Sequence, residues 1–431
     1  MYRQISFDLS QIREPQFAAH QIYASDFKNE KNPIQKAVDA CAAAGGGQVI
    51  VDSGEWHSGP IHLHSNIHLH LCKGCSISFS DRFSDYLPPV LTRWEGAECY
   101  NYSPLIYARD CKNIAITGEG VLYGNGEAWW HFKMLQQEAA NELCYAQSNG
   151  IPVEERIYGT EKAALRPSFI QLFSCENILI QGITLKNGPQ WTLHPVYCKN
   201  VTIREVKVRT EGPNTDGLNP DSCENVLIES CEFDTGDDCI AINSGINEDG
   251  WRVAKPCRNI FIQNCRMTGG HGGLVIGSAM SGGVEHIYAR NCEISGTDQG
   301  IRLKSMRGRG GCVKDVWFED IKMKKVKKQA VQISMFYPYS TVVPKTQMPP
   351  AFSEIHISNI KYEETEDEMI KGRCKTALEL MGLPERTLRD IFLKDISLCA
   401  QNAFVCKDTE NLHIENVTIN GLERTADEIA G

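Results

Sequence analysis

The sequence predicts an all-β fold: a right-handed, single-stranded parallel β-helix with a helix capping its N-terminal end. Three observations support this prediction. A short phrase, made of a polar residue or Cys, then Asn, then alternating aliphatic residues, recurs along the chain. The two-residue alternation of β-strands outweighs helical periodicity throughout. Turn signals such as Gly-Pro, Asn-Gly and Gly-Gly separate the phrases.

The repeated phrase sets the period of the solenoid. Clear copies begin at five cysteines: Cys111, Cys175, Cys198, Cys223 and Cys257. Asn177 and Asn200 are roughly 23 residues apart, and Asn200 and Asn225 about 25, within the 20–50 residues typical of solenoids. A unit of one to three short strands cannot bury its own apolar face, so the coils must stack, with strands about 4.8 Å apart.

The recurring Asn suits a ladder of side chains that caps the bends between strands. A leucine-rich repeat is the alternative fold, but its Leu pattern and its helical segments are absent.

One helix is predicted near the N-terminus. Asn32 and Pro33 give its start, residues 33–44 carry it, and three glycines at 45–47 end it. It precedes the first strand phrases. We expect it to cover the open end of the solenoid, which would otherwise expose apolar core and unpaired strand edges.

The chain is predicted to be a single β-helical catalytic domain, residues 1–431, because repeat folds grow in one dimension without splitting into domains. Segments near 82–104, 127–167 and 245–256 break the rhythm. The second has some helical character, and the third has the composition of a loop. Insertions in a solenoid form loops, often on the binding face.

Composition excludes several kinds of partner. The formal net charge is -10, which argues against nucleic acid and anionic membranes, because both need a basic footprint. No stretch approaches the roughly 18 apolar residues of a membrane span. The 18 cysteines follow no disulfide framework, and the first residues lack the pattern of a secretion signal. We therefore expect reduced cysteines and a cytoplasmic location; the oligomeric state stays open.

Four short motifs carry the chemistry. They are NTDG, GDD, GHG and RLK, at Asn214–Gly217, Gly236–Asp238, Gly270–Gly272 and Arg302–Lys304. Asp216 and Asp238 are about 22 residues apart, which is one uninterrupted coil. The next two steps, about 33 and 31 residues, are one coil plus a loop each. All four motifs can therefore stack on one outer face.

The motif residues indicate hydrolysis of an acidic sugar. Neighbouring carboxylates such as those of Asp216, Asp237 and Asp238 cannot all ionise cheaply, so one proton is retained. That acid can protonate a glycosidic oxygen while the others activate a water. Arg302 and Lys304 alternate with apolar residues and point outward together, and cations there favour a sugar that carries a carboxylate.

The four motifs, in this order and spacing, resemble glycoside hydrolase family 28, the polygalacturonases, including its bacterial exo-acting members. The resemblance extends over nearly the whole chain and includes the GGGQVIV and GPQWTLHPVYCKNV phrases. It implies the pectin lyase-like form of the β-helix and hydrolysis with inversion at the anomeric carbon. It also implies that no metal or other cofactor is required.

The resemblance further implies roles for single residues. Asp237 corresponds to the general acid, and Asp216 and Asp238 to the pair that activates the water. An inverting pair is expected to stand roughly 6.5–9.5 Å from its acid. His271 corresponds to the residue that supports the protonation state of the acid. The implied substrate-binding residues are Asn214, Arg302, Lys304 and Tyr337, of which Arg302 and Lys304 bind the galacturonate carboxylate.

The histidines of the HLHSNIHLH segment, His62, His64, His68 and His70, alternate as metal ligands could. We interpret them as the solvent face of two strands.

We expect exo action, from the non-reducing end of oligogalacturonides, because large insertions beside the cleft favour closing one end. A hydrolase of decorated pectin, such as rhamnogalacturonan or xylogalacturonan, is an alternative. A pectate lyase would need calcium carboxylates and an Arg base. A non-catalytic carbohydrate-binding β-helix would need no acid pair.

Overall fold

The computed structural model describes residues 7, 9–338, 346–366, 368 and 374–430. The strands of this part are short and follow one another in chain order. They are β1 Gln21–Tyr23, β2 Gly47–Val51, β3 Gly54–Ser58, β4 Ile61–His62, β5 Ile67–Leu71, β6 Cys75–Phe79, β7 Val90–Trp94, β8 Ala97–Asn101, β9 Ile106–Arg109, β10 Lys112–Gly118, β11 Val121–Tyr123, β12 Ile170–Phe173, β13 Glu176–Gln181, β14 Thr184–Lys186, β15 Leu193–Val196, β16 Lys199–Arg204, β17 Lys207–Arg209, β18 Glu224–Glu229, β19 Glu232–Asp234, β20 Ile240–Ile242, β21 Cys257–Gln263, β22 Arg266–Thr268, β23 Gly272–Ile276, β24 Val284–Ser295, β25 Gln299–Lys304, β26 Cys312–Lys324, β27 Gln329–Ser334, β28 Ala351–Tyr362, β29 Thr376–Met381, β30 Leu388–Leu398, β31 Asn402–Lys407, β32 Thr409–Ile419 and β33 Leu422–Glu423.

The helices are few and lie at the ends or in the interruptions. The α-helices are α1 Pro33–Ala43, α2 Glu127–Trp130, α3 Gln137–Ser148, α4 Asn247–Val253 and α5 Ala426–Ala430. Single 3-10 turns lie at Leu9–Gln11, Ala24–Phe27, Phe83–Tyr86, His131–Met134 and Val153–Glu155. None of the helices in the described residues has the length and apolar character needed to cross a membrane.

Strands one coil apart pair in parallel, and this confirms the predicted parallel β-helix. One face, which we call sheet B, consists of β4, β9, β12 and β15 followed by β20, β23, β25, β27, β29 and β31. Single bridges through Leu218 join its two halves, because Leu218 pairs with Leu193 on one side and Ile240 on the other. The aliphatic residue at this register position points into the core in every coil, and the residue after it points outward.

The predicted Asn ladder is confirmed. The amide of Asn177 donates to Asn113 at 3.1 Å, Asn200 donates to Asn177 at 3.1 Å, and Asn225 donates to Asn200 at 3.1 Å. These asparagines have φ between 55° and 58°, the left-handed conformation that Asn tolerates better than most residues. Each amide therefore turns the chain and joins one coil to the next.

Helix α1 begins at the predicted Pro33 and covers the N-terminal end. Its buried residues Ile34, Ala37, Val38 and Cys41 face the core, and the helix packs on β1, β2, β4 and β5. The side chain of Gln35 accepts a hydrogen bond from the backbone N–H of His62 at 2.7 Å. The predicted cap is confirmed.

All 18 cysteines lie in the described residues and are free. Several of them occupy equivalent turns in successive coils, where the thiol donates to a backbone carbonyl. Cys198 donates to the carbonyl of Leu172 at 3.0 Å, and Cys223 to that of Pro195 at 3.1 Å. The cysteines therefore act as small buried residues that also join neighbouring coils.

The three interruptions are more ordered than predicted. Segment 82–104 contains the antiparallel hairpin β7–β8, segment 127–167 contains α2 and α3, and segment 245–256, expected as a loop, contains α4. They pack on one another: Arg156 Nη1 lies 2.9 Å from Asp249 Oδ1, whose carboxylate also accepts from the N–H of Glu98 at 2.8 Å. We call the hairpin β7–β8 with α3 and α4 the wall.

The wall stands on the outer face of sheet B. Arg93 of the hairpin places Nη1 2.9 Å from Asp221 Oδ1, and its carbonyl accepts from Gln171 at 3.1 Å. All three side chains are buried. A small apolar cluster of its own, which includes Trp94 and Leu143, holds the wall together.

Candidate active site

The four motifs converge because each precedes or ends a strand of sheet B. Backbone hydrogen bonds tie three of them together: the N–H of Gly217 donates to the carbonyl of Asp238 at 2.9 Å, and the N–H of His271 donates to that of Asp237 at 3.1 Å. The RLK motif follows in β25, which pairs with β23. The predicted stacking on one outer face is confirmed.

The three aspartates form one compact group. One carboxylate oxygen from each of Asp216, Asp237 and Asp238 lies within 4.8 Å of the others. The expected gap of roughly 6.5–9.5 Å between acid and base is wrong for these nearest atoms. Asp216 and Asp238 stand on adjacent coils, one strand spacing apart, and Asp237 is the chain neighbour of Asp238, so the coil spacing fixes the separation.

Asp238 is held by the cations of the RLK motif. Lys304 Nζ lies 2.7 Å from Asp238 Oδ2, and Arg302 Nη1 lies 3.8 Å from Asp238 Oδ1. Lys304 is on the predicted outward face, but it is buried against this carboxylate. Burial disfavours its charge, yet Asp238 outweighs burial and holds the pKa of Lys304 above its ordinary value. Arg302 also donates to Gln332 at 3.0 Å.

Asp216 is the member of the group with the weakest support for a negative charge. Its Oδ2 accepts one hydrogen bond, from the amide of Asn219 at 2.9 Å. Burial, together with the charges of Asp237 and Asp238, raises the pKa of Asp216 well above its ordinary value. In the free site the retained proton therefore resides on Asp216.

Asp237 is supported as an anion. His271 Nδ1 lies 3.0 Å from its Oδ1, which also accepts from the N–H of Asp238 at 2.9 Å. Burial opposes ionisation, but His271 and Lys304 hold the pKa of Asp237 below its ordinary value. The same hydrogen bond raises the pKa of His271 although partial burial opposes this. One proton is thus shared between His271 and Asp237.

Tyr337 and Asn214 also reach the group. The ring centroid of Tyr337 lies 5.1 Å from Lys304 Nζ and 5.6 Å from the Arg302 guanidinium carbon. The amide of Asn214 faces Asp237 Oδ2 at 3.4 Å, so this residue contacts the acidic group itself. The structure thus brings all eight predicted site residues together.

Sequence reasoning missed Arg166. Its guanidinium is buried and donates to Asn214 Oδ1 at 2.8 Å and to the carbonyl of Pro213 at 2.6 Å, so it holds the NTDG segment from behind. Arg166 lies in the second interruption, outside the strand rhythm, and no motif marks it. Only its contacts across about 48 residues of chain reveal its position.

The histidine row has an ordinary structural role. His68 Nε2 and His70 Nδ1 both contact Thr117 Oγ1, at 2.6 Å and 3.0 Å. Within the described residues, the group whose donor atoms could surround a metal ion is the aspartate trio. The Lys304 ammonium already lies against Asp238 there, at the distance of a strong charged hydrogen bond.

A family model described as "Glycosyl hydrolases family 28" matches residues 154–418, more than half of the chain. The chain belongs to glycosyl hydrolases family 28. The predicted family and the predicted class of enzyme, a glycoside hydrolase, are thereby confirmed.

Solved and curated relatives agree with this family 28 assignment. The crystal structure of a hyperthermoactive exopolygalacturonase from Thermotoga maritima is 36% identical, with a TM-score of 0.89 and 96% of each chain covered. A "Probable polygalacturonase" of Vitis vinifera is 28% identical over 85% of this chain and 71% of its own. The "Exo-poly-alpha-D-galacturonosidase" of Dickeya chrysanthemi is 25% identical over 90% of this chain and 68% of its own. The right-handed β-helix predicted for this family 28 enzyme is confirmed.

Proposed function

We propose that this family 28 enzyme hydrolyses α-1,4-galacturonosyl linkages and removes sugars from the non-reducing end of oligogalacturonides. The relatives named exopolygalacturonase and exo-poly-alpha-D-galacturonosidase support this proposal. The cations Arg302 and Lys304 beside the aspartate group favour a sugar that carries a carboxylate.

A difference in exposure along sheet B carries the exo part of the proposal. The outward residues of successive strands form one row, in register from coil to coil. On the wall side, Gln171 and His194 of this row are each only 1% exposed, whereas Val405 at the other end is 43% exposed. A chain lying along this row meets the wall on one side and solvent on the other.

The order of the site residues indicates which end of the chain meets the wall. Asp216 lies one coil closer to the wall than Asp237 and Asp238, and Arg302 lies on the open side. If Asp216 helps to activate the water, the attacked anomeric carbon belongs to the sugar on the wall side. That sugar is the one on the non-reducing side of the cleaved bond, and the leaving chain extends past Arg302 into solvent.

Asp237 is the proton donor in this proposal. Its side chain is 17% exposed, compared with 2% for Asp238, so it is better placed to reach a glycosidic oxygen. The proton comes from the pool held by Asp216 and by the His271 pair, since these groups lie within a few ångströms. An acid must hold its proton until the bond breaks, and a bound anionic sugar favours that form by repelling negative charge on Asp237.

Asp238 has an oxygen suited to orienting the water. Its Oδ2 is bound to Lys304, while its buried Oδ1 accepts no hydrogen bond from the described residues. A buried acceptor of this kind is normally satisfied by a donor such as water. The water would lie between Asp238 and Asp216, where removal of its proton produces the nucleophile.

Hydrolysis of trigalacturonate labelled at its reducing end tests the proposal. We expect the label to appear first in the dimer, with unlabelled galacturonate released and its new reducing end inverted when followed by NMR. Labelled monomer or, on longer oligomers, fragments from internal cuts would contradict exo action. Asp237→Asn keeps the size of the side chain and should abolish turnover while leaving oligomer binding intact; unchanged turnover would exclude Asp237 as the acid.

A further inference from the structure

Glu95 occupies an unusual turn at the tip of the wall hairpin. Trp94 and Ala97 are paired across the hairpin, so Glu95 and Gly96 form a two-residue loop. Their φ values are +43° and +91°, as in a type I′ turn, where the first position strongly favours Asn, Asp or Gly. A long side chain retained in this strained conformation suggests that its carboxylate has a use.

The side chain of Glu95 turns toward the active site. Its Oε1 accepts a hydrogen bond from the amide of Gln190 at 2.9 Å, and Gln190 is buried. Gln190 lies one coil before the NTDG motif, because the N–H of Thr192 donates to the carbonyl of Asp216 at 2.9 Å. Glu95 therefore stands about one strand spacing, about 4.8 Å, from the catalytic coil on the wall side.

The charges around Glu95 connect it to the site. Burial raises the pKa of Glu95, and the nearby charge of Asp237 acts in the same direction. Lys133 and Arg166 act in the opposite direction and favour the carboxylate. An ionised carboxylate has about four acceptor positions and no donor, and the amide of Gln190 occupies one of them.

We propose that Glu95 is the specificity-determining residue that recognises the chain end, by accepting a hydrogen bond from the C4 hydroxyl of the terminal galacturonate. This inference rests on the proposed exo function. In an α-1,4-linked chain the terminal sugar alone has a proton on O4, because every internal O4 is part of a linkage. A chain that continued past Glu95 would offer no donor there, and the carboxylate of its next sugar would be repelled.

Two trimers separate this role from general binding. One is trigalacturonate; the other is the trimer with a 4,5-unsaturated terminal ring, which is produced by eliminative cleavage and lacks the C4 hydroxyl. We expect the native enzyme to prefer trigalacturonate in kcat/KM. Hydrogen bonds to charged groups are consistent with a preference of about 10-fold to 150-fold.

Glu95→Asn is the informative variant. Asn suits the first position of a type I′ turn better than Glu, so the thermal midpoint should stay equal or rise, but the shorter side chain cannot reach the sugar. The ratio of kcat/KM for the two trimers should fall by about tenfold or more toward one. An unchanged ratio in a folded Glu95→Asn variant would overturn the inference, as would a native enzyme that shows no preference. Exo action is judged separately, from the position of the label released by the native enzyme.

Discussion

Arg166 offers the sharpest test of how the wall side of the protein supports catalysis. Its buried guanidinium donates to the carbonyls of Pro189 and Pro213, at 3.1 Å and 2.6 Å, and to Asn214 at 2.8 Å. It also contacts Gln136 Oε1 at 3.3 Å. Among the described residues no carboxylate lies within ion-pair distance. Burial lowers the pKa of Arg166 to about 10, so it stays charged at neutral pH.

Replacement of Arg166 by Met removes the charge and keeps most of the volume. Asn214 then loses the hydrogen bond that orients its amide toward Asp237. Since a hydrogen bond to a charged group contributes about 1.5–3 kcal/mol, we expect kcat to fall about 10-fold to 150-fold. The net change in stability should be smaller than the acceptors left unpaired would suggest, because the cost of burying a cation disappears too.

The pH dependence of kcat/KM separates electrostatic support from simple packing. Arg166 favours the ionised forms of Asp216 and Asp237, so its loss raises the pKa values of both carboxyls. The acidic limb of the profile should therefore move to higher pH in Arg166→Met. Arg166→Lys keeps the charge but loses the planar set of donors, and should lower kcat while leaving the limb in place. A limb that stays at the native position in Arg166→Met would refute this reasoning.

Three further perturbations test the site. Because the pKa of His271 is raised, its cationic form persists above the ordinary range and is lost as pH rises through the raised value; the basic limb of kcat should disappear in His271→Gln, and an unchanged limb would exclude His271. Lys304→Met leaves the buried carboxylate of Asp238 unpaired and should destabilise the protein by about 3–5 kcal/mol, measured as a lower urea midpoint; an unchanged midpoint would argue against a structural role for the pair. Removal of metal ions with EDTA should leave the rate unchanged, and a loss that calcium or magnesium restores would assign an ion to the aspartate group.

The periodic part of the molecule could be predicted from the sequence. Short-range patterns determine it: alternation gives the inward and outward faces of each strand, and the recurring Asn gives the ladder. The capping helix has local start and stop signals at Asn32, Pro33 and Gly45. Because the coils stack in register, spacing along the chain was enough to bring Asp216, Asp238 and the RLK motif together.

The wall could not be predicted, because its contacts join residues far apart in sequence without any repeat. Arg93 and Asp221, which fasten it to sheet B, are separated by 128 positions. The distribution of protons was equally inaccessible, since it depends on which carboxylate has a cation beside it and which has an amide. The cytoplasmic location and the catalytic roles of the single residues stay predictions.

A cleft that is closed on one side also imposes an order on departure. Once the bond is cut, the shortened oligomer can diffuse away through the open side, but the freed monosaccharide lies behind it against the hairpin tip. The small product must leave last and by the same route that the next substrate uses to enter. Each turnover thus requires full dissociation of the polymer, so the enzyme is non-processive, and accumulated galacturonate competes directly with incoming chains.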